Sequence, residues 1–513
     1  MKITPLKLIM WIYLFFFIML ELIILFIDKS FSFQAIYFLL PIILLSFAFY
    51  IFNAVMIARY AVASLFYKKK EEDINFFKKG KKLLHELNPK VAIVIPCYNE
   101  GRGIISTIKT MQSLIYNNKH IFILDDSDDM TKDLLSNYAE KNGITIVRRN
   151  NRKGFKGKAL RNFVEKFGND YDYLCLFDAD WKPPKNYIER TVPYLLADKK
   201  TACVQTARLT YKKFYKSSTT KYGALASDTC YKTSLVGRYV LNDFVPHTGS
   251  SAVFNIKKVK DSGSWRGFIC EDTDLGMRLY LNGYKTKYIK DVISYGEEIP
   301  QEHSSFLRQQ ERWTYGSIEY NNSLLHDITH SRKVSLKEKI SMVHQSFYYV
   351  MPFFILLMFL TDFIITFFVN SFYITPAFLI ITTLLTYTIL NIYFLYVLFF
   401  FCIFEIILSI LVSKQYKKLM YIPISIVQYA SLFLVQILSL FRYYIIGKYE
   451  WFKTPKFERR LNISLLKDKL RIMSIFPFLF AAILYGFQIM LYSSFYFYQV
   501  IWISAFGYNL IRR

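Results

Sequence analysis

Two aspartates one residue apart, Asp178 and Asp180, directly follow the apolar run 173–177. The run predicts a short buried strand, and Pro183 and Pro184 stop that strand from continuing. Open α/β folds bind their ligands at the carboxyl edge of the sheet, where these carboxylates would lie. Mg²⁺ uses one or two carboxylates together with substrate phosphates. The pattern therefore indicates a metal–diphosphate site, although Asp-x-Asp alone is also typical of a solvated acidic turn.

Two earlier predicted strands, 91–96 and 121–124, also end in polar side chains. The polar residues after the first are Tyr98, Asn99 and Glu100, and those after the second are Asp125 and Asp126. These strands alternate with predicted helices at 103–114, at 131–140 and from about 159, and a short strand is predicted at 145–147. Such alternation predicts a mainly parallel, doubly wound α/β sheet. The three polar strand ends would then meet at one edge of that sheet.

The following part of the chain mixes strand and helix signals. A strand is predicted at 202–205, a helix at 217–234, and a loop of small residues at 246–252 that a ligand could approach closely. Glu271, Asp272 and Asp274 fall in the first turn of another predicted helix, where acids also simply complement the helix dipole. Residues 308–313 lie in an amphipathic region.

Hydrophobic residues make up 53% of the 513 residues, with 48 Phe and 40 Tyr, and they concentrate at the two ends of the chain. We therefore predict two amino-terminal transmembrane helices in 1–66 and a cytoplasmic domain in 67–300. Amphipathic interface helices follow in 301–345, and about six transmembrane helices in 346–513. Within the last part, the basic segment 449–470 is typical of a helix at the membrane surface.

The individual spans follow from runs of about 20 apolar residues. The predicted spans are 8–27, 33–56, 347–369, 373–391, 393–413, 420–444, 472–490 and 494–510. Basic residues flank the first two spans, which places the amino terminus and the central domain in the cytoplasm. Eight spans would put the basic loop 414–418 outside, against the same rule. Either a span is miscounted or this loop is an exception.

The formal net charge is +26. Because much of it lies beside apolar spans, it favours attraction to an anionic bilayer. Nucleic-acid binding is not predicted, since no Arg-rich stripe or nucleic-acid motif is present. The six cysteines form no Cys-x-x-Cys pair and are expected to be reduced thiols. No cleavable signal peptide is predicted.

Seven motifs occur in a fixed order: Ile-Pro-Cys-Tyr-Asn-Glu, Asp-Asp-Ser, Lys-Gly-Lys-Ala-Leu, Phe-Asp-Ala-Asp, Val-Gln, Glu-Asp-Thr-Asp and Gln-x-x-Arg-Trp. In this order they resemble the membrane-integrated family 2 glycosyltransferases, the group of cellulose, hyaluronan and chitin synthases. The likeness is strongest to cellulose-synthase-like mannan synthases. It covers about 91–318, with further support from the flanking spans and from Trp-Phe-Lys-Thr-Pro-Lys at 451–456. The family implies a GT-A-type, Rossmann-like nucleotide-sugar-binding domain inserted between transmembrane helices.

The resemblance also implies roles for single residues. Asp178 and Asp180 would hold Mg²⁺ or Mn²⁺ on the donor diphosphate, and Asp272 would be the general base. The implied nucleotide-sugar-binding residues are Tyr98, Glu100, Asp125, Asp126, Lys156, Asp178, Gln309 and Arg312. Trp313 and Glu271 would bind the acceptor, although Trp313 could instead be an interfacial anchor. For Glu311 only a structural role is expected.

Two departures from the family pattern stand out. The usual Lys-Ala-Gly-Ala-Leu loop reads Lys156-Gly157-Lys158-Ala159-Leu160, so Lys158 could compete with Lys156 for the diphosphate. The usual Thr-Glu-Asp reads Cys270-Glu271-Asp272, which leaves the base intact. Neither change predicts an inactive enzyme.

The expected activity is an inverting, metal-dependent, processive synthesis of a β-linked hexose polymer, glucan- or mannan-like, that crosses the membrane through the chain's own spans. The donor would be a UDP- or GDP-hexose. An alternative is transfer of one sugar to a lipid carrier or membrane glycolipid. A second alternative, of another class, is a catalytically silent scaffold that keeps the fold. The sequence specifies neither the sugar, the linkage nor an accessory secretion partner.

Overall fold

The strand Val91–Cys97 (β1) is an inner strand of the sheet, and six of its seven residues are buried. The computed structural model describes residues 32–211, 215–296, 299–354, 406–412 and 414–445. Within these residues the sheet has seven strands. The other six are Lys119–Asp125 (β2), Thr145–Arg148 (β3), Tyr173–Leu176 (β4), Thr201–Thr210 (β5), Ala252–Asn255 (β6) and Lys285–Gly296 (β7).

The strand order is β3-β2-β1-β4-β6-β5-β7. All neighbours are parallel except β6, which runs antiparallel to both β4 and β5. The predicted α/β class with a mainly parallel sheet is confirmed. Strand β6 was not predicted, because its four residues follow a small-residue loop and are too few to give a pattern of their own. The ends of β1, β2 and β4 lie side by side, as the sequence predicted.

Strand β1 continues to Cys97, past the proline that was expected to end it. Pairing with β4 stops at Val94, opposite Leu176. Since Pro96 lies beyond that point, its missing N–H removes no hydrogen bond to β4.

Helices cover both faces of the sheet, and further helices extend from it. Those that precede β5 are Ser32–Leu65 (α1), Glu71–Leu87 (α2), Gly103–Gln112 (α3), Thr131–Asn142 (α4), Phe155–Phe167 (α5) and Tyr187–Ala197 (α6). Those that follow it are Ser218–Thr229 (α7), Leu235–Val240 (α8), Ile256–Asp261 (α9), Glu271–Leu281 (α10), His303–His330 (α11), Leu336–Phe347 (α12) and Ile422–Ile445 (α13). A π-helical turn, Cys230–Ser234, joins α7 to α8, and a 3₁₀ helix, Tyr416–Tyr421, precedes α13.

The core forms two layers because residues of β1 alternate between the two faces of the sheet. Val91, Ile93 and Ile95 pack into the layer that holds α3 and α6. Ala92 and Val94 pack into the layer that holds α5 and α10. This α/β/α arrangement leaves the carboxyl edge of the parallel strands for the loops that carry polar residues.

Helix α5 begins at Phe155, four residues before the predicted start. Gly154 has a φ of +70°, a left-handed conformation that suits glycine and turns the chain into the helix. A Cβ at Gly157 would collide with the carbonyl oxygen of Arg266, so this glycine permits close packing. Lys156 therefore lies in the first helical turn rather than in a loop.

The predicted helix 217–234 is also interrupted. It is α-helical only to Thr229 and then widens into the π-helical turn before α8.

Among the described residues, one helical segment is long and apolar enough to cross a membrane, Leu44–Leu65 within α1. It is displaced from the predicted span 33–56 towards the central domain. The predicted spans 8–27, 373–391, 472–490 and 494–510 and the segment 449–470 lie outside the described residues, as do most of 347–369 and of 393–413.

The end of α1 is fixed against α8 and its surroundings. A Cβ at Gly237 would collide with the carbonyl of Tyr60, so the two helices touch backbone to backbone. Arg59 forms an ion pair with the buried carboxylate of Asp243, and the Tyr60 hydroxyl donates to Ser341 Oγ at 2.9 Å.

Helix α13 and the turn before it contact both the central domain and helix α11. Before its first residue, Lys418 is buried and forms an ion pair with Asp228 of α7. Near its last turn, Arg442 is paired with Glu311 of α11 at 2.7 Å, and the Tyr443 and Tyr315 rings meet edge to face at 4.7 Å. The predicted span 420–444 therefore corresponds to a helix, α13, that packs against α7 and α11.

Candidate active site

Lys156 connects three of the segments that the sequence singled out. Its Nζ donates to Asp178 Oδ1 at 2.6 Å and to the carbonyl of Gly249 at 2.7 Å, and it lies 3.5 Å from Glu271 Oε1. Burial disfavours its ammonium group, but the carboxylates of Asp178, Glu271 and Asp272 outweigh that effect and raise its pKa. Lys156 therefore stays charged at the centre of the site.

Lys158, the other lysine of this loop, is exposed, and its side-chain carbons lie against Gly154 and Gly267. The structure places Lys156, and not Lys158, beside Asp178.

Glu271 and Asp272 open helix α10 beside this lysine. Burial raises the pKa of Asp272, while the Thr273 amide, which donates to Oδ1 at 2.7 Å, and the charges of Lys156 and Arg208 offset part of the increase. Burial also raises the pKa of Glu271, against the opposing effect of Lys156. An aspartate with a raised pKa is a better proton acceptor than an exposed one.

The loop 246–251 fits closely against these acids. A Cβ at Gly249, whose φ is +84°, would lie 3.0 Å from Asp272 Oδ2 and 3.7 Å from Lys156 Nζ. The next residue, Ser250, accepts a hydrogen bond from the Asp178 amide at 2.9 Å. The small-residue loop therefore fixes the backbone of Asp178 and borders Asp272 at the same time.

Asp178 and Asp180 are both half-buried at the end of β4. Among the described residues, no group of three or more His, Cys, Asp or Glu side chains is arranged to hold a metal. Two carboxylates are still the hard oxygen donors that Mg²⁺ or Mn²⁺ takes when substrate phosphates complete its coordination. The donor set therefore fits a cation that is bound together with its substrate.

Helix α11 is held against the segment that leads into α10. The thiol of Cys270 donates to the carbonyl of Trp313 at 3.6 Å, and Glu319 accepts a hydrogen bond from the Ile269 amide at 2.9 Å. Gln309 is buried on this helix, while Arg312 and Trp313 are half-buried. The structure thus brings the Gln-x-x-Arg-Trp motif next to the Cys270-Glu271-Asp272 segment.

Glu311 forms the ion pair with Arg442 described above, which agrees with the structural role expected for it.

The loops after β1 and β2 form a separate group of predicted residues. The guanidinium of Arg152 lies 3.3 Å from the centroid of the Tyr98 ring, and the Tyr98 hydroxyl donates to Asp128 at 3.3 Å. The Asn99 amide side chain donates to the same carboxylate at 2.7 Å, and Glu100 is half-buried beside it in sequence.

The two aspartates after β2 each have an arginine partner. Arg148 Nε donates to Asp125 at 2.9 Å, and the Asp125 side chain is fully buried, so it can act on a nucleotide only through the loop that it holds. Arg149 binds the Asp126 carboxylate through Nε and Nη2, and also donates to the carbonyl of Phe155 at 3.1 Å. This arginine connects Asp126 to the start of the helix that carries Lys156.

Several buried polar residues near the site were given no role from the sequence, although Gln205 belongs to the Val-Gln motif and His247 to the small-residue loop. Gln205 Oε1 accepts from the Thr248 amide at 3.0 Å and lies 2.9 Å from Nδ1 of the buried His247. Arg208, on the same strand, is buried close to Trp181 and Tyr231. An arginine in an otherwise buried strand is the signal that could have identified it.

The family model described as "Glycosyl transferase family group 2" matches residues 173–511, which is more than half of the 513 residues. A solved structure of a mannosyltransferase from Pyrobaculum calidifontis, in complex with GDP-Man and Mn²⁺, aligns with a TM-score of 0.46 and 14% identity. That alignment covers 78% of this chain and 99% of the other.

Curated relatives include the "probable glucomannan 4-beta-mannosyltransferase 2" of Oryza sativa subsp. japonica, 30% identical over 270 residues, which are 51% of this chain and 46% of the relative. The "probable glucomannan 4-beta-mannosyltransferase 11" of Arabidopsis thaliana is 28% identical over 270 residues, 51% of this chain and 60% of the relative. The chain spans about half the length of the rice relatives that it matches at 30% identity. From the extent of the family match, the chain belongs to glycosyl transferase family group 2.

Proposed function

We propose that the chain is an inverting, metal-dependent hexosyltransferase that builds a β-linked, mannan- or glucan-like polymer from a nucleotide sugar. The observation that carries the proposal is the position of Lys156, which contacts Asp178 on one side and Glu271, the neighbour of Asp272, on the other. A charged lysine there can bind a leaving diphosphate within reach of a carboxylate that accepts a proton.

Asp178 and Asp180 would hold Mg²⁺ or Mn²⁺. When bound, the cation neutralises negative charge on the diphosphate leaving group. Lys156 adds a positive charge from the protein side and also fixes the Asp178 carboxylate. The Ser250 hydroxyl keeps the Asp178 backbone in place.

Asp272 would take the proton from the acceptor hydroxyl. Its raised pKa suits this role, because a proton acceptor works best when its pKa is near the working pH. With one base and no nucleophile on the enzyme, the configuration at the sugar carbon is inverted. Glu271 and Trp313 would contact the acceptor, and Gln309 and Arg312 the donor.

The nucleotide would lie near Tyr98, Glu100, Asp125 and Asp126. Tyr98 offers an aromatic face for a base, a face that Arg152 now covers. Asp126 would contact the ribose or base, while Arg149 limits the free movement of its carboxylate.

The names of the curated relatives favour a mannosyl donor, so GDP-mannose is the first donor to test, followed by UDP- and GDP-hexoses. The polymer would pass through spans formed by 1–66 and 346–513. The domain of 67–300 and the interface helices of 301–345 would lie on the cytoplasmic side of a cell membrane.

The test uses the full chain, purified in detergent, with Mg²⁺ or Mn²⁺ and a panel of GDP- and UDP-sugars. Nucleotide release and the size of radiolabelled product are measured for the wild type, for Asp272→Asn and for Asp133→Asn. Asp133 is an exposed acid on α4 and serves as the matched control.

We expect donor-specific release and a high-molecular-weight product, both lost in Asp272→Asn and kept in Asp133→Asn. Transfer that requires added polyprenyl phosphate or glycolipid, with a short product, would replace polymerisation by transfer of a single sugar. Equal release by the wild type and Asp272→Asn would refute the role of Asp272.

A further inference from the structure

Arg208 is a buried arginine close to Asp272, the candidate base, and it belongs to none of the seven sequence motifs. It lies on β5, and the whole residue is 7% exposed. Its guanidinium lies 5.0 Å from the centroid of the Trp181 ring. Trp181 directly follows Asp180 in the sequence. A buried guanidinium loses much of its hydration. Contacts inside the protein must compensate for that loss.

The first compensating contact of Arg208 is with Tyr231. Arg208 Nε donates to the Tyr231 hydroxyl at 2.6 Å, and the guanidinium also lies 5.3 Å from the centroid of that ring. Tyr231 belongs to the π-helical turn Cys230–Ser234. Such turns interrupt a helix and occur frequently at functional sites. Tyr288 fixes the same turn by donating its hydroxyl to the Tyr231 carbonyl.

Tyr231 in turn contacts the loop that borders Asp272. The Tyr231 hydroxyl donates to Thr248 Oγ1 at 3.1 Å. Thr248 precedes Gly249, which accepts from Lys156 and lies against the Asp272 carboxylate. Two side-chain hydrogen bonds therefore connect Arg208 to Thr248, whose neighbour Gly249 borders Asp272.

We propose that Arg208 is a positioning residue for Asp272, which acts through Tyr231 and Thr248 on the loop 246–251 and through its own charge on the carboxylate. The inference rests on the proposed function, since it assigns a residue to the base of that reaction. The charge effect has a definite sign: the guanidinium lowers the pKa of Asp272 against the increase that burial causes.

Other ionisable groups also face Asp272, and they set the background for this effect. They are Lys156 on α5, Tyr320 on α11, and Cys270 and Glu271 beside it. Asp178 and His247 lie one step further away, where they act on Lys156. Of these only Lys156 shares the positive charge of Arg208, because burial lowers the pKa of His247 far enough to keep it neutral.

The first experiment measures kcat for nucleotide release against pH at saturating donor, for Arg208→Met, Arg208→Lys and Tyr231→Phe. Arg161→Met is the control, because Arg161 is a half-buried arginine of α5 that pairs with Glu165 on the same helix. Arg208→Met should move the acid limb to higher pH by about one unit, as expected when an opposite charge is lost nearby. Arg208→Lys and Tyr231→Phe should lower kcat about 10-fold with little shift of the limb. An Arg208→Met limb that coincides with that of the wild type would overturn the proposal.

The second experiment does not depend on transfer, and so it separates this inference from the proposed function. It measures the melting temperatures of the wild type, Asp272→Asn, Arg208→Lys and Arg208→Met, and of the Arg208 variants combined with Asp272→Asn, at neutral pH. Without the guanidinium charge, the half-buried Asp272 carboxylate destabilises the folded state more, so Asp272→Asn should stabilise Arg208→Met more than it stabilises the wild type.

Additive effects of the two substitutions would overturn the electrostatic coupling. If Arg208→Met does not fold, the proposal is decided by Arg208→Lys and Tyr231→Phe: wild-type kcat in both overturns it. Coupling in the melting cycle, together with no transfer from any donor, would retain the coupling and reject the proposed function.

Discussion

Gly316 of α11 lies directly against Cys270, the residue before the acidic pair of α10. A Cβ at position 316 would stand 2.5 Å from the Cys270 sulfur and 2.9 Å from its backbone nitrogen. A Cβ essentially never approaches a neighbour so closely. The helix that carries Gln309, Arg312 and Trp313 can therefore reach the candidate base only because residue 316 has no side chain.

Gly316→Ala should separate the two segments by a few tenths of an ångström or more. We expect kcat to fall at least 10-fold, since small misplacements of catalytic groups have large effects, and stability to fall by about 1–3 kcal/mol. Activity and thermal unfolding are measured together. Gly103→Ala, at a helical position with open space around it, should leave both unchanged or stabilise the protein slightly. Wild-type activity in Gly316→Ala would contradict the close contact.

Lys156→Gln should weaken donor binding about 10- to 100-fold. The ammonium hydrogen-bonds Asp178 in the free protein, and bonds to charged groups contribute about 1.5–3 kcal/mol. Donor affinity is measured by calorimetry with a nucleotide sugar and Mg²⁺ or Mn²⁺. The matched variant is Lys158→Gln, which removes an exposed lysine two residues away and should bind like the wild type. The reverse pattern would assign the diphosphate to Lys158.

The activity should have an acid limb above the pH at which an exposed aspartate titrates. Asp272 has to be ionised to accept a proton, and burial raises its pKa, so kcat rises with pH through that raised value. Since the pKa in the folded state exceeds that in the unfolded state, Asp272 favours folding most at low pH and loses that contribution as the pH rises. Profiles of kcat from acid to neutral pH measure the limb, and a limb near pH 4 would contradict the raised pKa.

Two acids of α10 should respond in opposite ways to replacement by asparagine. Asp272→Asn removes a half-buried charge. It should lower the transfer rate by about 10²-fold or more, while stability at neutral pH is kept or increased. Asp274→Asn should destabilise the protein by about 3 kcal/mol, because its fully buried side chain pairs with both Arg266 and Arg278. Thermal unfolding and nucleotide release distinguish the two. Loss of stability in both variants would make Asp272 another structural acid.

The loop 414–418 should lie on the same side of the membrane as the central domain, because Lys418 is ion-paired with Asp228. This requires an even number of crossings between 347 and 413, where the sequence predicted three. Lys414→Cys and Lys132→Cys both place a cysteine at an exposed position. Each variant is treated with an impermeant maleimide in sealed vesicles of either orientation, and its labelling is compared with that of the wild-type chain. Both should label in the same orientation. Labels in opposite orientations would restore the original span count.

The parts of the fold that the sequence predicted are those with local signals. The apolar runs before Asp125 and Asp178 and their alternation with helices were enough to place three strand ends at one edge. The contacts that define the site are not local: Arg149 lies 23 residues from Asp126 in sequence and Lys156 lies 93 from Gly249. No spacing rule could have paired them.

Other differences arise where tertiary packing overrides a local pattern. The π-helical turn at Tyr231 has no local sequence signal, and its tyrosine binds Arg208 and Thr248, which are distant in sequence. The choice between Lys156 and Lys158 depended on the start of α5, which Gly154 shifts by four residues. The four residues of strand β6 are held in an extended conformation by pairing with β4 on one side and β5 on the other.

The backbone contact between Gly237 and Tyr60 opposes rotation of the domain relative to α1. The ion pair of Arg59 with Asp243 and the hydrogen bond from Tyr60 to Ser341 hold the same junction from two further directions. On the proposed arrangement, with α1 set in a bilayer, these contacts would hold the transfer site at a nearly constant height above the lipid. A growing product would then have to slide past a stationary site, and its advance by one sugar would be a movement of the polymer and not of the enzyme.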